Sequence, residues 1–474
     1  MNNNSVVELN NVYIAKRLDR YLVVSSEFGT WITCNEDTVN ILETFRNKKT
    51  FNAVFEKANI PREILISRIK EYFEKGLLKI DGRNRFDSID VKSMVLKANP
   101  SPQLCILHVS NICNLSCKYC YAHTDKSEKS TMSLDVMKKS IDRFMELPTN
   151  SLTIEFHGGE PLMQYRKIAL ACEYANNLKD KYNKSVTFAM QSNMTFLNDE
   201  ILDMLKKYKI LIRISLDGLK DMNDNYRVDK KGNGSFDRII NNTQTLVKNG
   251  IYPEVVSVVT SKNVDFLREI FEFFSSINLK RVRLMPFWVQ GMGKEIDDDV
   301  VEPEYLSDKY IELIDWIADR NSKIEDRNNH IKMLVLSKEL EALHTFKRSF
   351  MCLRCPCGAG INMVDVSING DIYPCEEMNE IAEFKIGNIR THSIMEALKN
   401  SKVVKELSER NPDNIEDCSV CAWKRHCQSG CANKNYQNFG SFETKSEKCK
   451  FYKKYFENLI WYLDSNRNAL KYLV

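Results

Sequence analysis

Between residues 104 and 285 the chain alternates short apolar runs with longer amphipathic stretches. The runs are Leu104–Val109, Leu152–His157, Val186–Gln191, Leu211–Ser215, Val255–Val259 and Arg281–Met285. The segments between them, Leu134–Glu146 and Asp199–Tyr208 for example, place apolar residues at helical spacing. Repeated strand–helix units predict an α/β fold with a parallel sheet, open or partly closed as a barrel, whose site lies at the carboxyl ends of the strands.

The pattern before this stretch is different. Val12–Ile14, Arg20–Val24 and Thr30–Thr33 read as a short meander turning at Glu27–Gly29. Asn35 with Glu36 and Asp37 predicts a capped helix through Phe45, Lys49–Ala58 a second helix, and Pro61 the start of a third that ends at Gly76. Leu77–Ile80 closes the unit as a strand, so residues 1–82 are expected to form a winged helix-turn-helix domain. Residues 83–102, polar and holding two prolines, predict a linker. The strand–helix core then occupies 103–345. In 346–474 cysteine, glycine and short turns dominate, before an aromatic-rich helix from Lys450 to about Trp461.

At 474 residues the chain has room for about three such units. Its 68 basic and 64 acidic residues leave a formal charge of +4, scattered over the sequence. The third helix, Arg62–Lys75, mixes both signs, so nucleic acid is not an expected partner. No apolar run approaches a membrane span and the N-terminus lacks a signal-peptide core, so a cytoplasmic protein is expected. Of fifteen cysteines, Cys34, Cys105 and Cys172 stand alone, three cluster at 113–120 and nine lie between 352 and 449. Clustered thiols in a chain of this kind point to metal rather than to disulfides.

Cys113, Cys117 and Cys120 follow the first predicted strand. Three thiolates close together leave one iron of a four-iron cubane free for an exchangeable group; zinc short of one ligand is the alternative. Gly158-Gly159-Glu160-Pro161 follows the second strand, and its carboxylate can pair with an aminium. Ser192 ends the third strand and Ser215 the fourth, each either a ligand contact or a cap for the next helix. His157 and Arg227 are further polar candidates on the same rim, with a strand-end structural role and a surface ion pair as their alternatives.

The cysteine loop resembles the signature of radical S-adenosylmethionine (SAM) enzymes, and Gly158–Pro161 resembles that family's GGEP motif. The resemblance implies a partial (β/α)6 barrel and reductive cleavage of SAM to a 5′-deoxyadenosyl radical. It also implies cofactor contacts from Tyr119, Gly158, Gly159, Glu160, Ser192 and Ser215, with Tyr121 competing with Tyr119 for the adenine. Arg227 lies in a stretch similar to the family's HDxxR, with Asn223 where histidine is usual; there a guanidinium could hold the cofactor carboxylate.

The later cysteines resemble the SPASM pattern of two auxiliary 4Fe-4S clusters, making three in all. The resemblance implies an inner cluster on Cys357, Cys375 and Cys431, with Cys352 or Cys355 as fourth ligand or the position open to substrate. The outer cluster would take Cys418, Cys421, Cys427 and Cys449. Glu376, next to Cys375, is a possible proton acceptor by likeness to sulfatase-maturing enzymes, or else a surface carboxylate.

The N-terminal pattern resembles the peptide-recognition domain of enzymes that mature ribosomal natural products. It implies capture of a precursor's leader as an added strand, expected at an unpaired edge around Arg20–Val24. The combined reading is a peptide maturase that abstracts a hydrogen atom and closes a thioether, with carbon–carbon coupling also compatible. It would be reduced by an external donor such as flavodoxin or ferredoxin. The rivals are an anaerobic sulfatase maturase and a non-catalytic iron–sulfur electron-transfer protein. The N-terminal domain is expected to be separable, so that removing residues 1–82 spares cofactor cleavage and loses only peptide modification.

Overall fold

The computed structural model describes residues 3–56, 60–87, 100–121 and 130–474. They group into two compact units that interleave along the chain. The first comprises the described residues of Met1–Lys97 with Lys338–Cys357 and Glu409–Arg467; the second comprises those of Ala98–Ser337 with Gly358–Ser408 and Asn468–Val474. Most of the linker expected at 83–102, and the end of the second expected helix at Lys57–Ala58, lie outside the described residues.

The N-terminal part of the first unit holds strands Val6–Leu9 (β1), Val12–Arg17 (β2), Arg20–Ser25 (β3), Trp31–Cys34 (β4), Lys49–Thr50 (β5), Leu78–Ile80 (β6) and Arg83–Asn84 (β7). They form two sheets, β2-β3-β4 and β5-β1-β6-β7. The helix Glu36–Thr44 starts where Asn35 accepts from the Thr38 N–H, as its sequence predicts. Arg62–Glu74 follows Pro61 and carries Leu65, Ile69 and Tyr72 into a core with Val7, Leu42, Phe45 and Phe51. The second helix is shorter than expected, Phe51–Phe55, because Lys49 and Thr50 pair with β1.

One expectation about this region is corrected. Arg20–Val24 is not a sheet edge: Tyr21–Val24 pair with Tyr13–Lys16 on one side and with Trp31–Cys34 on the other. The turn at Gly29, with φ +73°, sends the chain straight back along β3 and makes it the central strand. The outer strands are β2 and β4.

The meander is also no free-standing lobe. Within the same unit, Arg425 Nε donates to the Glu27 carbonyl (2.7 Å) and His426 Nε2 lies 2.9 Å from the Gly29 carbonyl oxygen. The Tyr13 hydroxyl donates to Glu457 (2.9 Å), the Thr33 hydroxyl to Asp464 (2.6 Å), and Arg20 pairs with Asp464 at 3.0 Å. Glu457 and Asp464 lie on the helix Cys449–Ser465. The N-terminal sheet and the cysteine-rich C-terminal segment thus belong to one compact unit joined by side-chain contacts, which argues against removing residues 1–82 without loss elsewhere.

The second unit is built on one sheet: Leu104–Ser110 (β8), Ser151–Gly158 (β9), Ser185–Ser192 (β10), Leu211–Ser215 (β11), Glu254–Val259 (β12), Arg281–Pro286 (β13), Lys332–Met333 (β14), Met363–Val366 (β15), Asp371–Tyr373 (β16) and Gly387–Asn388 (β17). All six expected strands are present. From β14 to β8 each strand is parallel to its neighbour and follows in chain order. The other side of β8 is taken by β15, also parallel, with β16 and β17 antiparallel beyond it. Helices Leu134–Met145, Tyr165–Lys179, Asp199–Lys207, Phe236–Lys248 and Leu267–Ser276 connect the strands. Among the described residues no helix is long and apolar enough to cross a membrane.

Candidate functional site

The cysteine loop leaves the end of β8 and is tied down along its length. At its start the Gly159 N–H donates to the Ser110 carbonyl (2.6 Å) and the Glu160 N–H to that of Ile112 (2.9 Å). A Cβ on Gly158 or Gly159 would stand 2.2 Å from Ser110 O or 2.3 Å from Ile112 O, so the two glycines make room for this loop. In its middle, Ser116 donates to the Val228 carbonyl (2.8 Å) and Lys118 to that of Tyr226 (3.0 Å). At its end Met292 donates to the Cys120 carbonyl (3.0 Å) beside Gly291, where a Cβ would lie 2.4 Å from that same oxygen. Gly291 was not a sequence candidate, since a glycine far along the chain says nothing of what backbone it meets.

Cys113 Sγ faces the Leu115 N–H at 3.4 Å and Asn193 Nδ2 at 3.6 Å. Burial pushes the Cys113 thiol up to about 11 and that of Cys117 up to about 12, so only a bound metal would make these sulfurs anionic near neutral pH. Three soft sulfurs in one loop, with amide donors toward one of them, suit an iron–sulfur cluster.

Glu160 is 1% exposed and fully engaged. Its carboxylate accepts from the Leu162 N–H (3.0 Å), the Ser192 hydroxyl (2.8 Å) and the Asn193 N–H (2.7 Å). Burial lifts its carboxyl to about 7 against the pull of those donors. Asn193 also donates to Asn114 Oδ1 (2.9 Å), tying the end of β10 to the cysteine loop. Ser215 accepts from Gln191 Nε2 at 2.9 Å, one strand further along the rim.

Arg227 is buried, and its Nε and Nη2 grip Asp217 at 2.9 and 3.2 Å. The Tyr119 hydroxyl donates to the same carboxylate, and the guanidinium sits 5.3 Å from the centre of the Tyr119 ring. Asp217 occupies the Nε–Nη2 edge of the arginine fork. Asn223 replaces the usual histidine without loss of order: its Nδ2 donates to Ser235 Oγ (3.2 Å) and Asp224 Oδ1 (3.0 Å). Asp217, two residues beyond Ser215 and not itself a sequence candidate, is the residue that joins Tyr119 to Arg227.

Glu376 is half-buried and reaches His157 at the end of β9 rather than standing free at the surface. His157 Nε2 lies 3.4 Å from Glu376 Oε2 and 4.0 Å from Glu155 Oε1, while Arg213 pairs with Glu155 at 2.6 Å. Burial raises the Glu376 carboxyl, and His157 opposes that. Next to them His108 faces Asp365 at 3.2 Å. Burial resists protonation of His108, but Asp365 and Glu376 outweigh it and raise the imidazole.

In the first unit, Cys418, Cys421, Cys427 and Cys449 lie within electrostatic range of one another. Cys352, Cys355, Cys357 and Cys431 also belong to this unit, whereas Cys375 belongs to the second. The Cys355 thiol is buried and donates to the Arg410 carbonyl at 3.2 Å. Arg410, fully buried, donates to the carbonyls of Phe442 (2.8 Å), Ser429 (2.8 Å) and Gly430 (3.1 Å).

The profile of the radical SAM superfamily matches residues 107–274, and that of the iron–sulfur cluster-binding domain SPASM matches 357–422. A cysteine-type anaerobic sulfatase-maturating enzyme of Clostridium novyi is 26% identical over 383 residues, spanning 78% of this chain and 99% of that enzyme. The radical SAM cyclopropyl synthase TigE of Paramaledivibacter caminithermalis is 22% identical over 428 residues, 85% of this chain and 84% of the synthase. In structure, anSMEcpe with bound AdoMet superposes with a TM-score of 0.68 at 21% identity, over 78% of this chain and 98% of its own. Streptococcus suis SuiB bound to the precursor peptide SuiA gives 0.56 at 15% identity, over 94% and 99%. The two structural likenesses are likenesses of fold.

Proposed function

We propose that this radical SAM enzyme, which uses S-adenosylmethionine and 4Fe-4S clusters, matures a ribosomally made precursor peptide by hydrogen abstraction followed by thioether closure. The observation that carries the reading is the extent of the fold likeness. It reaches 94% of the chain against a protein that binds a precursor peptide, and 78% against anSMEcpe with bound AdoMet. The N-terminal meander, with β2 and β4 as outer strands, offers the edge that an extended leader would join.

Cys113, Cys117 and Cys120 would hold the first cluster, and three clusters in all are proposed. S-adenosylmethionine bound there supplies, after one-electron reduction by a flavodoxin- or ferredoxin-like donor, a 5′-deoxyadenosyl radical that removes a hydrogen atom from the peptide. Glu160, oriented by Ser192 and Asn193, would hold the cofactor's amino group, and Arg227 its carboxylate. Tyr119, Gly158, Gly159 and Ser215 complete that contact set. A substrate cysteine would then lose its S–H proton to Glu376 and bond to the carbon that lost hydrogen, the surplus electron leaving to an auxiliary cluster. Cys418, Cys421, Cys427 and Cys449 would hold the outer cluster. Cys357, Cys375 and Cys431 would hold the inner one, with Cys352 as fourth ligand in view of the engagement of Cys355 with Arg410.

A sulfatase-maturing reading is favoured by the 26% identity that spans 99% of the Clostridium novyi enzyme. The experiment that separates the two incubates reconstituted full-length chain, SAM and dithionite with a leader-bearing precursor or with a cysteine-containing sulfatase peptide. The proposal predicts modification of the precursor only, dependent on its leader; formylglycine in the sulfatase peptide would replace it.

A further inference from the structure

We propose that Asp217 is a positioning residue: it locks Arg227 opposite Cys117 and, with that guanidinium, sets the charge felt by the first cluster. The inference rests on the reading that Cys113, Cys117 and Cys120 hold that cluster.

The register is set by the backbone. Ser116 donates to the Val228 carbonyl and Lys118 to that of Tyr226, and a bridge pairs Leu115 with Asp229. The two segments run antiparallel there, which puts Cys117 across from Arg227. An arginine so placed could adopt many rotamers, but Asp217 removes the choice. Its Oδ2 accepts from Arg227 Nε at 2.9 Å and from the Tyr119 hydroxyl; its Oδ1 accepts from Arg227 Nη2 at 3.2 Å and from the Val258 N–H at 2.9 Å. Four donors satisfy a carboxylate that is wholly buried, as a charge out of water requires.

The register sets Arg227 across from Cys117, and Asp217 is hydrogen-bonded both to that guanidinium and to Tyr119 of the loop, so one charge of each sign stands beside the cysteines. In a site shielded from water, charges at this range are weakly screened. Reduction of a cluster adds one negative charge close to its thiolates, so the same signs apply: Arg227 makes the electron easier to add and Asp217 makes it harder. Of the two, Arg227 is set opposite Cys117 by the backbone register, while Asp217 meets the loop through Arg227 and Tyr119.

The test uses the full chain reconstituted anaerobically with iron and sulfide. Iron content is measured first, and the electron paramagnetic resonance signal that changes on adding SAM identifies the first cluster. The midpoint potential of that signal is then titrated without SAM. Arg227→Gln should lower it, Asp217→Asn should raise it, and the double variant should return toward wild type. Shifts of the same sign, or none, with iron retained would overturn the inference. Tyr119→Phe, which takes one donor from Asp217 and removes no charge, covers the case in which a charge variant loses its iron. It should lower the potential, and an unmoved value would overturn the inference. A wild-type chain that binds no SAM-responsive cluster would instead sink the underlying reading.

Discussion

The Ser192 hydroxyl donates to Glu160 Oε1 at 2.8 Å, and this bond joins the turn after β9 to the end of β10. Burial holds the Glu160 carboxyl at about 7, above its ordinary value, so in the cofactor-free protein it takes up a proton as pH falls through neutrality. A cofactor aminium needs the carboxylate. SAM binding should therefore strengthen as pH rises through about 7, and Glu160→Gln should bind weakly with no such dependence. Ser192→Ala removes one donor to the carboxylate; a hydrogen bond of about 1 kcal/mol corresponds to roughly fivefold weaker binding, with the pH midpoint moved upward. Equilibrium binding across pH checks all three.

The contact of His426 with Gly29 predicts that the N-terminal sheet and the outer-cluster segment stand or fall together. A Cβ on Gly29 would meet Arg425 Cβ at 2.7 Å, in a backbone conformation with φ +73° that disfavours side chains. Gly29→Val should destabilise by about 2 kcal/mol or more. Removing residues 1–82 should cost iron as well as peptide modification. Thermal melting and iron content of the two proteins measure this, and a truncated chain with a full iron complement would contradict it.

The thiol of Cys355 is committed to the Arg410 carbonyl. Cys355→Ala should accordingly keep its iron and lose only about 1 kcal/mol of stability, whereas Cys352→Ala should lose the share of iron belonging to the inner cluster. Iron and sulfide assays decide, and the reverse pattern would assign the ligand to Cys355.

Glu339 is buried and accepts from the Tyr455 hydroxyl at 2.7 Å, and burial raises its carboxyl from 4.5 to about 7. The unfolded chain therefore ionises at lower pH than the folded one. The protonated group's stabilising contribution is full below about 4.5 and is lost as pH rises through about 7. Glu339→Gln keeps an acceptor for Tyr455 without a charge. It should be more stable than wild type at pH 8, by at most about 3 kcal/mol, and show little advantage at pH 5, as thermal melting at the two pH values would read.

The six core strands could be read from sequence because each is a short, mostly apolar or alternating run separated from the next by a helix with one apolar face. Val6–Leu9 escaped notice as four residues beside a polar terminus, and β15, Met363–Val366, as four residues within a cysteine-rich stretch. Ligand chemistry was legible for a similar reason: Cys113, Cys117 and Cys120 must lie close in sequence to share one loop, and Glu160 follows its glycines directly. Pairings between distant segments carried no local signal. Nothing near Asp217 announces that it will hold Arg227 and Tyr119 together. Nothing near Glu27 or Gly29 says that Arg425 and His426, some four hundred residues away, will cap that turn.

The central claim is that a leader-bearing peptide is the substrate, and the most direct measurement is the mass of such a peptide after anaerobic turnover. The reconstituted chain, given SAM, dithionite and a leader-bearing, cysteine-containing precursor peptide, should yield 5′-deoxyadenosine and a core peptide lighter by two hydrogen atoms, with one cysteine thiol no longer alkylatable. A precursor that returns unchanged while 5′-deoxyadenosine accumulates, or while a sulfatase peptide is converted to formylglycine, would contradict it.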